Sequence, residues 1–168
     1  MVGRFRSAAE QRKFIVVGPD SRISPDGQRT WQVPDQPNDT TEDSGHIRRC
    51  LDEVRSMAGV LIDPARTLIA GHSGGGSTAP YMASVDRDFS SFAVLHGGVF
   101  AGGLGPRRTR GWFSTGDADG LRPISGVQRA AEAVGRLGFG PVVLRTFHEG
   151  HEIGDDELRE LVAWWLGG

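Results

Sequence analysis

At 168 residues the chain is long enough for one domain with a real hydrophobic core. A net charge of −2, with Lys13 the single lysine among 19 scattered basic residues, leaves no electrostatic footprint for nucleic acid or an anionic membrane surface. Cys50 stands alone, so an internal disulfide and a cysteine-built metal site are both excluded, and it reads as a small packed hydrophobe.

The first thirteen residues, "MVGRFRSAAEQRK", lack the apolar stretch of a secretory signal. No run reaches the about 18 apolar residues of a membrane span, so the expected compartment is the cytoplasm. "FIVVG" (14–18) is the first strand candidate. Residues 19–41 hold Pro19, Pro25, Pro34, Pro37 and an Asp-Gly pair, and are expected to form a long ordered loop without regular structure. Trp31 within it either walls a pocket or staples the loop to the body. Residues 44–57 carry Ile47, Leu51, Val54 and Met57 at helical spacing, with Asp43 or Ser44 available as the cap.

Four further strand candidates follow: "TLIAG" (67–71), "FAVLH" (92–96), "GWFST" (111–115) and "VVLRTF" (142–147). All five runs are near-continuous in apolar residues, as strands buried on both faces are. Helical patterns lie between and after them, in "STAPYMASV", at 125–137 and at 155–166. In the last, one of Trp164 and Trp165 is expected to face the core. This alternation predicts a three-layer α/β/α arrangement around a mostly parallel sheet of about five strands, as a single domain over residues 1–168.

Gly71-His72-Ser73-Gly74-Gly75 fits G-x-S-x-G, a weak signal by itself in a chain with 25 glycines. Its setting strengthens it. "TLIA" supplies a strand and "STAPYMASV" a helix, so the turn between them can expose the Ser73 hydroxyl above the sheet. The helix N-terminus there favours a developing oxyanion. A serine nucleophile needs a base, and the base an orienting carboxylate. "GWFSTGDADGLRP" offers Asp117 and Asp119, and "FHEGHEIGDDE" offers His148 and His151, each after a strand and in the order Ser, Asp, His. A parallel sheet carries these loops to one edge.

The segments "VVGPDSR", "IDPARTLIAGHSGGG", "STGDADGLRP" and "EGHEI" resemble the α/β-hydrolase superfamily, in its branch of carboxylesterases, dienelactone-hydrolase-like and polyhydroxybutyrate-depolymerase-like esterases. The resemblance implies Ser73, Asp119 and His151 as the catalytic residues. "TGDADGLRP" aligns Asp119 with the family's acid and "GHE" aligns His151 with its histidine. Gly74 would supply an oxyanion N–H. His72 and Trp31 are the candidate substrate-contacting residues, and His96 reads as pocket wall or packing. The implied activity is hydrolysis of a small-molecule ester, with no cofactor and no metal. "HGGVFAGGLG" (96–105) is expected to be a mobile loop near the pocket mouth.

Against the family pattern, "FIVVG" corresponds to the fourth strand, and the first three strands and the oxyanion loop have no counterpart. The favoured expectation is an N-terminally truncated fragment. The alternatives are a minimal sheet with "FIVVG" paired beside "TLIAG", or a second copy covering the gap as a homodimer. A catalytically impaired, hydrolase-like binding or assembly module is the competing function. Two other motifs fail on context. "GGGSTA" resembles a dinucleotide fingerprint but lacks its acidic residue about 20 positions on. "HEGHE" spaces its histidines three apart, not four, for a helical zinc motif.

Overall fold

The structure is a computed structural model and describes residues 1–23, 25–27, 29–32, 41–98, 104 and 109–167. In chain order the elements are α1 (Val2–Arg12), β1 (Arg22–Ile23), β2 (Arg29–Thr30), α2 (Glu42–Ser56), a 3-10 turn (Pro64–Arg66) and β3 (Leu68–His72). They continue with α3 (Gly74–Val85), β4 (Ser91–Leu95), β5 (Arg110–Gly116), α4 (Ile124–Arg136), β6 (Val142–Phe147) and α5 (Asp155–Leu166).

Strands β3, β4, β5 and β6 form one parallel sheet in that order. Successive side chains on a strand point to opposite faces, so one set of apolar runs builds two cores. Ala70, Ala93, Trp112 and Val143 lie in register and face α1 and α5, where they meet Phe5, Leu158, Leu161 and Val162. Phe92, Val94 and Phe113 face the other way, onto Ile47 of α2, Tyr81 and Met82 of α3, and Val127 and Val134 of α4. The result is the expected α/β/α arrangement. Every residue of central strand β4 is buried, whereas β3 and β6, at the edges, are only partly covered. Among the described residues, no helix is long and apolar enough to cross a membrane.

The sheet has four strands, not five, because residues 14–18 are not a strand. Phe14 and Val16 turn into the second core, with the Phe14 ring edge-on to Trp165 at 5.0 Å, while Ile15 and Val17 stay 54% and 41% exposed. That alternation is strand-like, but a strand also needs a ladder, and residues 15–18 have no backbone–backbone hydrogen-bond partner among the described residues. The pairing of "FIVVG" beside "TLIAG" therefore does not occur. A cleft of about 800 Å³ lies between the two segments, lined by Ile15, Val17, Leu68, Ala70, His72 and Trp31 among others. The Thr67 carbonyl and the Ser73 N–H bond toward β4. By the two-residue alternation of a parallel strand, the N–H and C=O groups of Leu68, Ala70 and His72 face this cleft.

Smaller corrections have equally local causes. The 19–41 segment is not free of regular structure, since β1 and β2 pair antiparallel within it. Helix α2 is capped by Thr41, not Asp43 or Ser44. The Thr41 hydroxyl accepts from the Ser44 N–H while the Ser44 hydroxyl faces the Thr41 N–H, a reciprocal box. Cys50 on α2 is half-buried. Trp165 is the core-facing member of its pair, and Trp164 lies under the Arg110 guanidinium at 4.8 Å. Most of the 96–105 segment expected as a mobile loop lies outside the described residues.

Candidate active site

The C-terminal ends of all four parallel strands meet at one edge of the sheet, and each contributes one residue just beyond it. These are Ser73 after β3, His96 after β4, Asp119 after β5 and His151 after β6.

Ser73 occupies the turn from β3 into α3 with φ 52° and ψ −115°, a left-handed backbone that side-chain-bearing residues rarely adopt. The turn is held by the Ser73 N–H on the Leu95 carbonyl at 2.9 Å and the Gly76 N–H on the Ser73 carbonyl at 3.0 Å. It is also tight. A Cβ at position 71 would overlap the Gly75 carbonyl, which is why glycine stands two residues before the serine. Gly74 opens α3 and is exposed; as a first-turn residue its N–H has no intrahelical acceptor.

The Ser73 hydroxyl lies 2.9 Å from His151 Nε2, and His151 Nδ1 lies 2.9 Å from Asp119 Oδ2. Asp119 is buried, and burial alone would push its carboxyl up. Hydrogen bonds from His151, His96 and the N–H groups of Arg122 and Leu121 outweigh this and hold it at about 2. An ionised Asp119 can only accept. The His151 proton therefore sits on Nδ1, leaving the Nε2 lone pair for the serine hydroxyl.

His96 completes the other side. Its ring is wholly buried and its backbone is left-handed, φ 50°. Nδ1 reaches the same Asp119 oxygen at 2.9 Å, and Nε2 reaches Glu157 Oε2 at 3.2 Å. Glu157, on α5 and wholly buried, accepts the Ser114 hydroxyl on Oε1 at 2.5 Å. Ser114 Oγ in turn accepts from Trp112 Nε1. Burial lowers the tendency of His96 to take a proton, but hydrogen bonds and charge from Glu157 and Asp119 reverse this and raise its pKa.

His72 stands next to this cluster, its ring centroid 5.0 Å from His151 and 5.7 Å from His96. Burial, then the neighbouring imidazoles, lowers its pKa, and its Nε2 is buried with no hydrogen-bond partner among the described residues. Trp31 is half-buried, with its indole nitrogen beside Gly75, and it packs on the first core while lining the cleft. Both roles considered for it are therefore occupied at once. Asp117 and His148 form their own pair at 2.9 Å, but His148 is 96% exposed and does not join the Ser73 cluster. Among the described residues, the grouping able to hold a metal ion is His96, Asp119 and His151, with donor atoms within 4.8 Å of one another. Both ring nitrogens are already engaged by one Asp119 oxygen.

Sequence reasoning missed Glu157 and Ser114 and read His96 as pocket wall or packing. Glu157 lies in the run "DDE", where helix-start acids are usually solvated. The available signal was its position on the apolar stripe of α5, with Leu158, Leu161, Val162 and Trp165.

No protein-family model matches the sequence, and no curated protein matches it. Solved structures do. A carboxylesterase from Mesorhizobium loti aligns with TM-score 0.65 at 17% identity, over 89% of this chain and 74% of that one. Acyl-protein thioesterase 2 from Zea mays aligns with TM-score 0.61 at 17% identity, over 96% and 87%. Arabidopsis thaliana SOBER1 aligns with TM-score 0.60 at 20% identity, over 89% and 81%. With its parallel sheet, flanking helices and a serine at a strained strand-to-helix turn, the chain has the α/β-hydrolase fold.

Proposed function

We propose that this chain is a serine hydrolase of the carboxylesterase type, acting on small esters through an acyl-enzyme on Ser73. The observation that carries the reading is the continuous chain from Ser73 Oγ through His151 to Asp119, two contacts of 2.9 Å ending on an ionised buried carboxylate. Carboxylesterases and a thioesterase among the similar structures support the reaction class.

In this scheme Ser73 Oγ attacks the ester carbonyl as its proton passes to His151 Nε2. Asp119 stabilises the imidazolium and keeps the ring aligned. The Gly74 N–H, reinforced by the α3 N-terminus, receives the oxyanion. His151 then protonates the departing alcohol. Water enters, gives its proton to His151 and attacks the acyl-enzyme, releasing the acid and restoring Ser73. Gly74 is the one donor assigned here, and a site lacking a second runs about 10²–10³-fold slower.

The test is p-nitrophenyl acetate hydrolysis with Ser73→Ala and His151→Ala. The reading expects turnover by the wild type and a fall of about 10⁴-fold or more in each variant. Turnover that survives Ser73→Ala would overturn it. A folded wild type with neither turnover nor acyl-enzyme would favour a binding module instead.

A further inference from the structure

Asp119 Oδ2 is shared by two histidines, and only one of them touches Ser73. We propose that His96 and Glu157 are positioning residues of the Ser73 site: a buried imidazolium, fixed by Glu157, that orients Asp119 and offsets its charge as seen by His151. The proposal rests on the reading of Ser73, His151 and Asp119 as the reacting group.

Geometry carries it. Asp119 is an acceptor, so the His96 ring must present Nδ1–H to it. On the far side of the ring, Ser114 Oγ accepts from Trp112 and so gives its own proton to Glu157 Oε1; with Glu157 ionised, as the proposal holds, Oε2 accepts from His96 Nε2. Both ring nitrogens then donate, each to a carboxylate. The ring lies between Asp119 from the loop after β5 and Glu157 from α5, with His151 and His72 as its other titratable neighbours at 5.8 and 5.7 Å between ring centroids. A structural role alone explains the set poorly. A buried ion pair is often no more stabilising than apolar residues of the same volume, and His96 holds its place with a left-handed backbone. Such strain concentrates at functional sites.

The consequence is a charge balance. With His96 protonated, Glu157 and Asp119 carry two negative charges against one positive, and the positive one is the nearer to Asp119. Glu157→Gln keeps the shape but removes the anchor of the Nε2 proton. His96 becomes neutral, and Asp119 then acts on His151 uncompensated. A charge within 4–6 Å shifts a titration by one to three pH units, and the simultaneous loss of Glu157 offsets part of this, so a rise of about 0.5–1 unit is expected.

The experiment is ¹H–¹⁵N NMR titration of the histidine ring nitrogens in the full chain, for wild type, Glu157→Gln and His96→Asn. His96→Asn keeps an N–H toward Asp119 but carries no charge. The wild type should show both His96 nitrogens protonated at pH 7. Glu157→Gln should move the His151 midpoint up by about 0.5–1 unit and His96→Asn, which leaves Glu157 in place, by about 1–3 units, and the acid limb of kcat/KM should follow in each. A neutral wild-type His96 overturns the proposal, as does a folded variant of either kind in which His151 titrates where it did before. If one variant does not fold, the other reads the same quantity. The titration needs no substrate, so in an inactive wild type it still reads the charge balance at His96, while the inactivity refutes the hydrolase reading and the positioning role that rests on it. Unmoved midpoints in an active enzyme would refute this one alone.

Discussion

Replacing Asp119 by Asn changes one oxygen for an amide nitrogen at a carboxylate that accepts four hydrogen bonds. Oδ2 takes the Nδ1 protons of His96 and His151; Oδ1 takes the N–H groups of Leu121 at 2.9 Å and Arg122 at 2.8 Å. An asparagine has acceptors on one side only, so its NH₂ must face donors, whichever way it turns. Two approaches give its cost. The carboxyl is held at about 2 against an ordinary 3.8, which corresponds to about 2 kcal/mol of native stability at neutral pH. Leaving buried donors unpaired costs about 1–3 kcal/mol each. Asp119→Asn should therefore lose about 2–4 kcal/mol, and the wrong His151 tautomer should lower kcat by about 10⁴-fold. The sign of the pH dependence is fixed. A depressed carboxyl stabilises above its unfolded pKa and loses that contribution as pH falls through the folded value. The gap between wild type and variant in urea unfolding should thus be full at pH 7, about half at pH 3 and nearly closed at pH 2. A gap below about 1 kcal/mol at pH 7, or one that stays constant from pH 7 to pH 3, would refute the hydrogen-bond account of Asp119.

Three further outcomes follow from neighbouring contacts. His148→Ala removes an exposed pair with Asp117 and should leave ester turnover within about twofold and stability within about 0.5 kcal/mol, read by kinetics and urea unfolding. Gly71→Ala drives a methyl into the Gly75 carbonyl and should cost about 1–3 kcal/mol or more together with turnover; thermal unfolding near wild type would show that the elbow is looser than described. His72 has a pKa lowered by burial, so the unfolded chain takes up its proton first, and native stability falls as pH drops below the ordinary histidine range. His72→Phe should shrink the stability loss between pH 7 and pH 5, and an unchanged loss would place that titration elsewhere.

The sheet was legible where one physical property decided the outcome. Strands β4 and β5 are buried on both faces and the edge strands β3 and β6 are partly covered, and their near-continuous apolar runs marked all four; the observed bounds fall within a residue of 67–71, 92–96, 111–115 and 142–147. The same property misled at 14–18. Apolarity reports burial, and Phe14 and Val16 are indeed covered, but ladder pairing depends on what lies alongside, and there a cleft lies alongside. β1 and β2, at two residues each, are too short for any periodicity. Around Ser73 the local turn could be read from glycine spacing, whereas the choice between two Asp–His pairs came from the family resemblance and not from the chemistry of the residues themselves. Asp117–His148 and Asp119–His151 share chemistry and hydrogen-bond length, and they differ in which pair the β5 and β6 loops turn inward. Glu157 was hidden for a similar reason. Three consecutive acids at a helix start look alike until the helix is docked, and then only the third faces His96.

The central claim is that Ser73 is an activated nucleophile in this chain. Intact mass spectrometry after fluorophosphonate treatment, on wild type and Ser73→Ala, tests it most directly. The account predicts a single adduct on the wild type and none on the variant. A folded wild type that takes no adduct, or a variant that still takes one, would contradict it.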